Sequence, residues 1–474
     1  LLIDGQLVDP GRSFPVYNPA TEELIEEAPD ATVEHAEAAV MAARRAFDES
    51  SWSTDVAFRV RCLRQLSEVL SKHKEELREL TVAEAGHTYG LTQGPALEDP
   101  LTLIDYYADL VERTPLREEL PDIESRGSRH HRWVEKEPAG VVSAIIAYNY
   151  PTQLALAKLA PALAAGCTLV LKAAPSDPLQ TLWLGELIAN ETDIPAGVVN
   201  VLSSSEVAVG EVLTGHDDVD MITFTGSTPV GRRIMEVASA TIKRVFLELG
   251  GKSALIALDD ADMDLVAAVA AMTITSHAGQ GCAITSRLLV PKEKHDEIVA
   301  KVAGIMASVK VGNPADPEVM MGPLISEAQR DKVDGIVKRA VEAGATLVTG
   351  GERIEPGYFY APTLLTNVDP DSEVAQEELF GPVLAVIAYE DDDDAVRIAN
   401  DSIFGLSGGV YGDQERAIAI AKRIRTGTVG INGGSWFAPD SPFGGYKQSG
   451  IGREMGAAGL DEFLERKTIA IPAP

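Results

Sequence analysis

The sequence predicts an α/β protein with two doubly wound units, each a mostly parallel sheet covered by helices, and a small β extension. Its 474 residues exceed what one hydrophobic core usually serves. From residue 141, short β-rich runs alternate with helical runs over short connections, the mark of βαβ units. The alternation restarts at residue 254, which sets the second unit apart from the first.

Residues 32–47 open with Thr32 as N-cap and place Val33, Ala36, Val40, Ala43 and Phe47 on one helical face. A second helix is expected over 58–85, with Leu63, Leu66, Leu70, Leu77 and Leu80 inward and Gly86 as its stop. The first sheet draws strands from 141–146, 168–171, 198–202, 221–225 and 245–247, with helices over 154–163, 179–189, 207–213 and 230–238. The second draws strands from 254–258, 287–290, 381–389, 408–410 and 429–432. Its helices end near His277 and lie over 292–308, 327–343, 395–400 and 416–423. Residues 125–137 are polar and charged and interrupt the first unit, and 464–471 read as one more strand. Both are expected outside the two cores, as extensions of the kind that serve oligomerisation. The expected division is 1–115 with 139–250, then 251–447, then 116–138 with 448–474.

Composition excludes several classes. A hydrophobic fraction of 45% and a charged fraction of 24% are those of a soluble globular protein, and no apolar run approaches the length of a membrane span. A net charge of −31 disfavours nucleic acid and anionic membranes, which demand a basic surface. Cys62, Cys167 and Cys282 are too few and too scattered for a disulfide framework, and no CxxC or His-rich spacing points to zinc. Reduced thiols and no metal are expected. The first residues lack the basic and apolar stretches of a secretory signal, so a cytoplasmic location is expected. The acidic run Asp391-Asp392-Asp393-Asp394 precedes a helix, where anions complement the backbone dipole, and is read as a solvated helix start.

Four places carry candidate chemistry. Cys282 sits in Gly279-Gln280-Gly281-Cys282, where small neighbours let a substrate approach; a nucleophilic thiol also needs a lowered pKa or a base within reach. Its plain alternative is an inert core thiol, the reading kept for Cys62 and Cys167. Glu248 closes a strand before Leu249-Gly250-Gly251-Lys252, where partial desolvation makes a carboxylate a general base; otherwise it pairs with a lysine such as Lys252. Gly226-Ser227-Thr228-Pro229 follows a strand and opens a helix, either cradling an anion or forming an ordinary capped turn. Asn149, in Tyr148-Asn149-Tyr150-Pro151, either donates to an oxyanion or forms a turn.

The order of these motifs resembles that of the aldehyde dehydrogenase superfamily over essentially the whole chain. Carrying the resemblance are Tyr148-Asn149-Tyr150-Pro151, Leu171-Lys172, Phe224-Thr225-Gly226-Ser227-Thr228, Leu247-Glu248-Leu249-Gly250-Gly251-Lys252 and Gly279-Gln280-Gly281-Cys282. Glu378-Leu379-Phe380-Gly381-Pro382-Val383 and Ser441-Pro442-Phe443-Gly444-Gly445 continue it. The resemblance implies a Rossmann-like cofactor domain, a catalytic domain, and an oligomerisation extension that makes dimers or tetramers. It implies NAD(P)-dependent oxidation of an aldehyde to a carboxylic acid of the hydrolytic type, through a cysteine thiohemiacetal and thioester. Cys282 would be the nucleophile, Asn149 the oxyanion donor and Glu248 the base that activates water.

For the cofactor, the resemblance implies Lys172 at the adenosine ribose, Ser227 at the pyrophosphate, Glu378 at the nicotinamide ribose and Phe380 near the nicotinamide. Ile145, Ile146, Tyr148, Gly226 and Leu249 complete the expected site. Pro175 stands where many NAD-preferring members carry a glutamate, so NADP stays open, while nearby Asp177 and the lack of a following arginine favour NAD. By position, Tyr150, Ala157, Trp436, Phe437 and Phe443 border the aldehyde tunnel and favour apolar, aromatic or medium-chain aldehydes. The rival readings are a CoA-acylating member, disfavoured by Glu248, and a cysteine hydrolase using His277, which lacks an evident Asn or Asp partner.

Overall fold

The computed structural model describes residues 1–473. Its first sheet has eight strands. Five parallel ones lie in the spatial order Val199–Leu202, Thr168–Lys172, Val141–Ile145, Met221–Thr225, Arg244–Glu248. Leu2–Ile3 with Gln6–Leu7 adds antiparallel at one edge and Gly450–Ile451 at the other. The chain leaves the central strand Val141–Ile145 outward on one side and returns on the other at Met221–Thr225. The carboxyl ends of these two neighbours therefore form a topological switch point, the place where open α/β sheets bind ligands.

The second sheet has seven strands, in the order Thr346–Thr349, Thr363–Thr366, Val383–Tyr389, Thr285–Pro291, Ser253–Ala257, Gly408–Tyr411, Gly430–Ile431. All pair in parallel except the first. Central strands of both sheets are buried along their length, as near-continuous Val, Ile and Leu runs require. A separate antiparallel ribbon joins Arg117–Ser125, Ser128–Pro138 and Leu464–Pro472, with Leu464 opposite Pro138 and Pro472 opposite His130. Residues 450–472 thus serve both the first sheet and the ribbon.

The helix Pro151–Ala165, which follows the central strand, is buried on every side. Pro151 suits its first turn, and Gly166 ends it in the left-handed region at φ 98°. Residues 58–85 form two helices rather than one: Val56–Lys72 and Lys74–Ala85 meet at His73, whose φ −99°, ψ 19° bends the chain. The apolar spacing runs on through the bend, so periodicity alone joins them. The helix Glu98–Arg113 and the hairpin Ser13–Tyr17 with Leu24–Pro29 had no counterpart in the sequence reading. Asp391 opens Asp392–Asn400, its carboxylate accepting the Asp394 N–H at 2.9 Å, and Asp392 and Asp393 pair with Arg416 and Arg423. No helix among the described residues is long and apolar enough to cross a membrane.

Candidate active site

The switch point opens into a cleft of about 210 Å³. Tyr148 and Asn149 enter it from beyond Val141–Ile145, Gly226 and Ser227 from beyond Met221–Thr225, and Leu249 and Gly250 from beyond Arg244–Glu248. Cys282, Glu378 and Phe380 close it from the second sheet's side. Ile145, Ile146, Lys172 and Pro175 sit outside this lining. Ile146 is buried behind it, and the Lys172 ammonium donates to the carbonyls of Ala173 and Ser204 at 3.2 and 3.4 Å. Burial pushes that lysine down to about 8. Pro175 is exposed, whereas Asp177 is buried and its carboxyl is pushed well up by desolvation and by Glu84. Asp177 therefore lies outside the cleft lining, buried away from it.

Backbone turns put the side chains in place. Ser227 stands at the N-cap of Thr228–Ala238, and no side-chain cap bond occupies it among the described residues. The first-turn N–H groups are thus left for an anion. Of the two glycines after Leu249, Gly251 is sterically required and Gly250 leaves room for the Glu378 carboxylate. A Cβ on Gly250 would lie 2.3 Å from a Glu378 carboxylate oxygen, and one on Gly251 would lie 2.2 Å from the Cys282 carbonyl oxygen. The Gly251 N–H instead donates to Glu378 at 2.8 Å.

Cys282 follows the helix Met263–Thr275 and a tight turn, Ser276–Gly279. His277 and Ala278 adopt φ 46° and 51°, a left-handed conformation that costs non-glycine residues about 1–2 kcal/mol each. Gln280 holds the turn: its amide donates to the carbonyls of His277 and Pro323, both at 3.2 Å, and accepts the Ile325 N–H at 2.9 Å. Cys282 itself is half-buried. Burial pushes its thiol up, and the nearby charges of Glu248, Glu378 and Glu454 push it further. The Ala283 N–H opposes this without reversing it, so the thiol has to give up its proton as it attacks. Cys62 and Cys167 are buried and pushed up to about 11, as inert core thiols should be.

Glu248 is 2% exposed, and neither carboxylate oxygen has a hydrogen-bond partner among the described residues. Desolvation raises its carboxyl well above the ordinary range, Glu454 raises it further, and Lys158 and Arg453 oppose. The alternative of an ion pair with Lys252 is not met. Lys252 is buried beside Arg287, Glu378 and Glu377, and desolvation pushes it down to about 7. Behind Glu248 lies a buried pair that motif reading missed: the Lys158 ammonium meets Glu454 at 2.6 Å. Lys158 is a lone charge in the otherwise apolar run Ala155-Leu156-Ala157-Lys158-Leu159-Ala160, the signal that would have found it.

Glu378 is held differently. Desolvation pushes it up to about 7, against the opposing Gly251 N–H. Phe380, at φ 59°, packs edge-on to Tyr148 with centroids 5.8 Å apart. Gln329, also missed, steadies this loop by donating to the Leu379 and Phe380 carbonyls at 2.8 Å each, and with Lys332 it lines the cleft.

The expected tunnel residues gather in one apolar cluster. Ala157 and Phe443 lie in its buried part, and Tyr150, Trp436, Phe437 and Cys282 pack against it. Trp436 stacks on Phe443 at 5.5 Å and meets Phe437 edge-on at 6.0 Å. His277 stacks on His87 instead of serving Cys282, and its ring nitrogens have no hydrogen-bond partner among the described residues. That removes the base the hydrolase reading required.

The model of the aldehyde dehydrogenase family matches residues 7–469. The chain belongs to that family. It is similar to the 3-succinoylsemialdehyde-pyridine dehydrogenase of a Pseudomonas species, with 40% identity over 98% of this chain and 97% of that protein. The mitochondrial aldehyde dehydrogenase of Leishmania tarentolae is 39% identical over 99% of this chain and 94% of that one. Among solved structures, the betaine aldehyde dehydrogenase of Staphylococcus aureus in complex with NAD+ superposes with a TM-score of 0.95. It is 36% identical over 99% of this chain and 94% of that one. As a family member, the chain is an oxidoreductase acting on the aldehyde group, built on the family's Rossmann-like and catalytic α/β architecture.

Proposed function

We propose that this chain oxidises an aldehyde to its carboxylic acid with a nicotinamide dinucleotide, through acyl chemistry on Cys282. The observation that carries the reading is the junction of Cys282 and Asn149 on one cleft, with the buried Glu248, next in the chain to the lining Leu249, close enough for its charge to weigh on Cys282. The Cys282 sulfur attacks the aldehyde carbon as its proton passes to water in the open cleft, and the carbonyl oxygen becomes an oxyanion. The Asn149 amide and the Cys282 N–H hold that oxyanion, the largest single term in acyl chemistry. Loss of hydride from the thiohemiacetal leaves a thioester. Glu248 then takes a proton from water, which adds to the thioester carbon and expels the thiol with the acid. Glu248 also disfavours a CoA-acylating outcome.

The residues present fit a dinucleotide, since an uncapped helix start and a carboxylate docked on Gly251 face the same cleft. Bound there, it supplies the hydride acceptor. Gly226, Ser227 and the following helix N-terminus would hold the pyrophosphate, Lys172 the adenosine ribose and Glu378 the nicotinamide ribose. Phe380 and Tyr148 would pack the nicotinamide end, with Leu249 as an apolar wall and Ile145 and Ile146 packed behind the lining. We read the cofactor as NAD, as in the S. aureus relative. The exposed Pro175 leaves the ribose 2′ position unopposed, so NADP belongs in the same assay. The aromatic group Trp436, Phe437 and Phe443, which shares one extended apolar core with Tyr150 and Ala157, is the basis for reading the substrate as an apolar, aromatic or medium-chain aldehyde.

A homo-oligomer, dimer or tetramer, is supported by the ribbon, in which Leu464–Pro472 pairs on one side only. A cytoplasmic setting rests on the three free cysteines. The test is an aldehyde panel assayed with NAD and with NADP. Cys282→Ala should abolish aldehyde-dependent reduction of either dinucleotide while dinucleotide binding persists; residual turnover in that variant would remove Cys282 from the chemistry.

A further inference from the structure

His87 and His277 come from distant parts of the chain and meet beside the proposed oxyanion site. Their rings stack with centroids 3.7 Å apart and 12° between planes, and both residues are fully buried. His87 Nε2 lies 2.8 Å from the main-chain oxygen of Asn149. A carbonyl only accepts, so Nε2 carries the proton and donates. Tyr150 packs on both rings, at 4.9 Å from His87 and 5.4 Å from His277.

The stack closes a circuit between the two halves of the site. On one side, Gly86 packs so tightly on Pro323 that a Cβ would approach its ring to 2.9 Å. Pro323 accepts from Gln280, Gln280 holds the His277 carbonyl, and the His277 ring returns to His87. Asn149 is tied to this circuit through its carbonyl, and Cys282 through the strained turn that begins at His277.

We infer that the stacked imidazoles of His87 and His277 are a positioning pair for the oxidation, setting the Asn149 segment against the Cys282 turn. The inference rests on the oxyanion role proposed for Asn149. His87 acts as the donor that fixes the Asn149 backbone, and His277 as the flat support that fixes His87. Both rings are neutral in this setting, because desolvation pushes His87 down to about 4 and His277 well below its ordinary value. The neighbouring His87 pushes His277 the same way, and the Asn149 carbonyl opposes for both. Neutral rings stack without repulsion, and a neutral His87 with its proton on Nε2 matches the bond it makes.

The test is the pre-steady-state rate of dinucleotide reduction with a saturating aldehyde. His87→Phe keeps the stack but loses the donor, and should slow this rate about ten- to a hundredfold, the effect of a misplaced oxyanion donor. His87→Gln restores a neutral donor and should stay within about threefold of the parent. His277→Ala should lose about tenfold and His277→Phe, which keeps a ring in the stack, should recover most of it. Alkylation of Cys282 by iodoacetamide needs no oxyanion donor, and should change less than about twofold in His87→Phe.

Asn149→Ala should be slow by itself, and adding His87→Phe to it should change nothing further. A full rate in His87→Phe while Asn149→Ala is slow overturns the inference and spares the oxyanion assignment. So does a His87→Phe loss that persists undiminished in the Asn149→Ala background. A full rate in Asn149→Ala alone sinks the oxyanion assignment and the inference with it. If His87→Phe fails to fold, the His277 pair with His87→Gln decides: equal rates in His277→Ala, His277→Phe and the parent would overturn the inference.

Discussion

The strand end that carries Glu248 and the loop that carries Glu378 each bring a carboxyl close enough to weigh on Cys282, yet they are built oppositely. Glu378 accepts the Gly251 N–H, sits half-buried at the cleft wall, and rests on a loop pinned by Gln329. Glu248 is buried, and neither oxygen makes a well-formed hydrogen bond among the described residues, although the nearby Gly445 N–H pulls its carboxyl down against the burial. Such a group costs free energy, of order 1–3 kcal/mol or more for a lost hydrogen bond to a buried polar atom. A carboxyl held this lightly is one that can take a proton or a water. Burial raises both groups, with Glu454 adding to it at Glu248, and on the roles proposed above the carboxyl docked on a backbone N–H is the one that holds the ligand while the other moves the proton.

The largest effect should come from Glu248→Gln. Thioester hydrolysis should fall about 10²–10⁴-fold, the contribution of a positioned general base, while the first turnover of hydride transfer stays fast in stopped-flow. A steady-state rate equal to the parent's would erase the distinction between the two carboxyls.

Next in size is the pair behind Glu248. Lys158→Met leaves Glu454 buried without its cation, and should cost about 3–5 kcal/mol in denaturant unfolding. It should also move the pH profile. Glu248 is a base only when ionised, so hydrolysis rises with pH through its raised pKa. Lys158 lowers that pKa and Glu454 raises it, so Lys158→Met should shift the rising limb to higher pH and Glu454→Gln to lower pH. Shifts of the same sign in both variants would contradict this electrostatic account.

The smallest effect is expected at Glu378. Glu378→Gln keeps an acceptor for the Gly251 N–H, so the melting temperature should hold, while dinucleotide affinity measured by fluorescence titration weakens about three- to tenfold. If thioester hydrolysis fell instead, the two carboxyls would share a role.

Much of this was legible in the sequence because the informative residues are local. Cys282, Glu248 and Asn149 each lie in a short motif, and the alternation of strands and helices announces both sheets. What escaped was long-range. Lys158 meets Glu454 across 296 positions, and no periodicity relates them. His87 stands in a loop after a helix stop and His277 in a turn, so only the fold brings their rings together. Local reading also could not give direction at Asp177 and Lys252, since a charged residue near a motif says nothing of which way its side chain is buried. The bend at His73 was invisible because both helices continue the same apolar face.

The central claim is that the acyl group forms on Cys282 and that Glu248 releases it. Glu248→Gln mixed with aldehyde and NAD, quenched after one turnover and measured by intact mass and peptide mapping, tests it directly. The account predicts a mass increase equal to the acyl group, located on Cys282 and absent in Cys282→Ala. An unmodified Cys282 despite a full burst of reduced dinucleotide would contradict it.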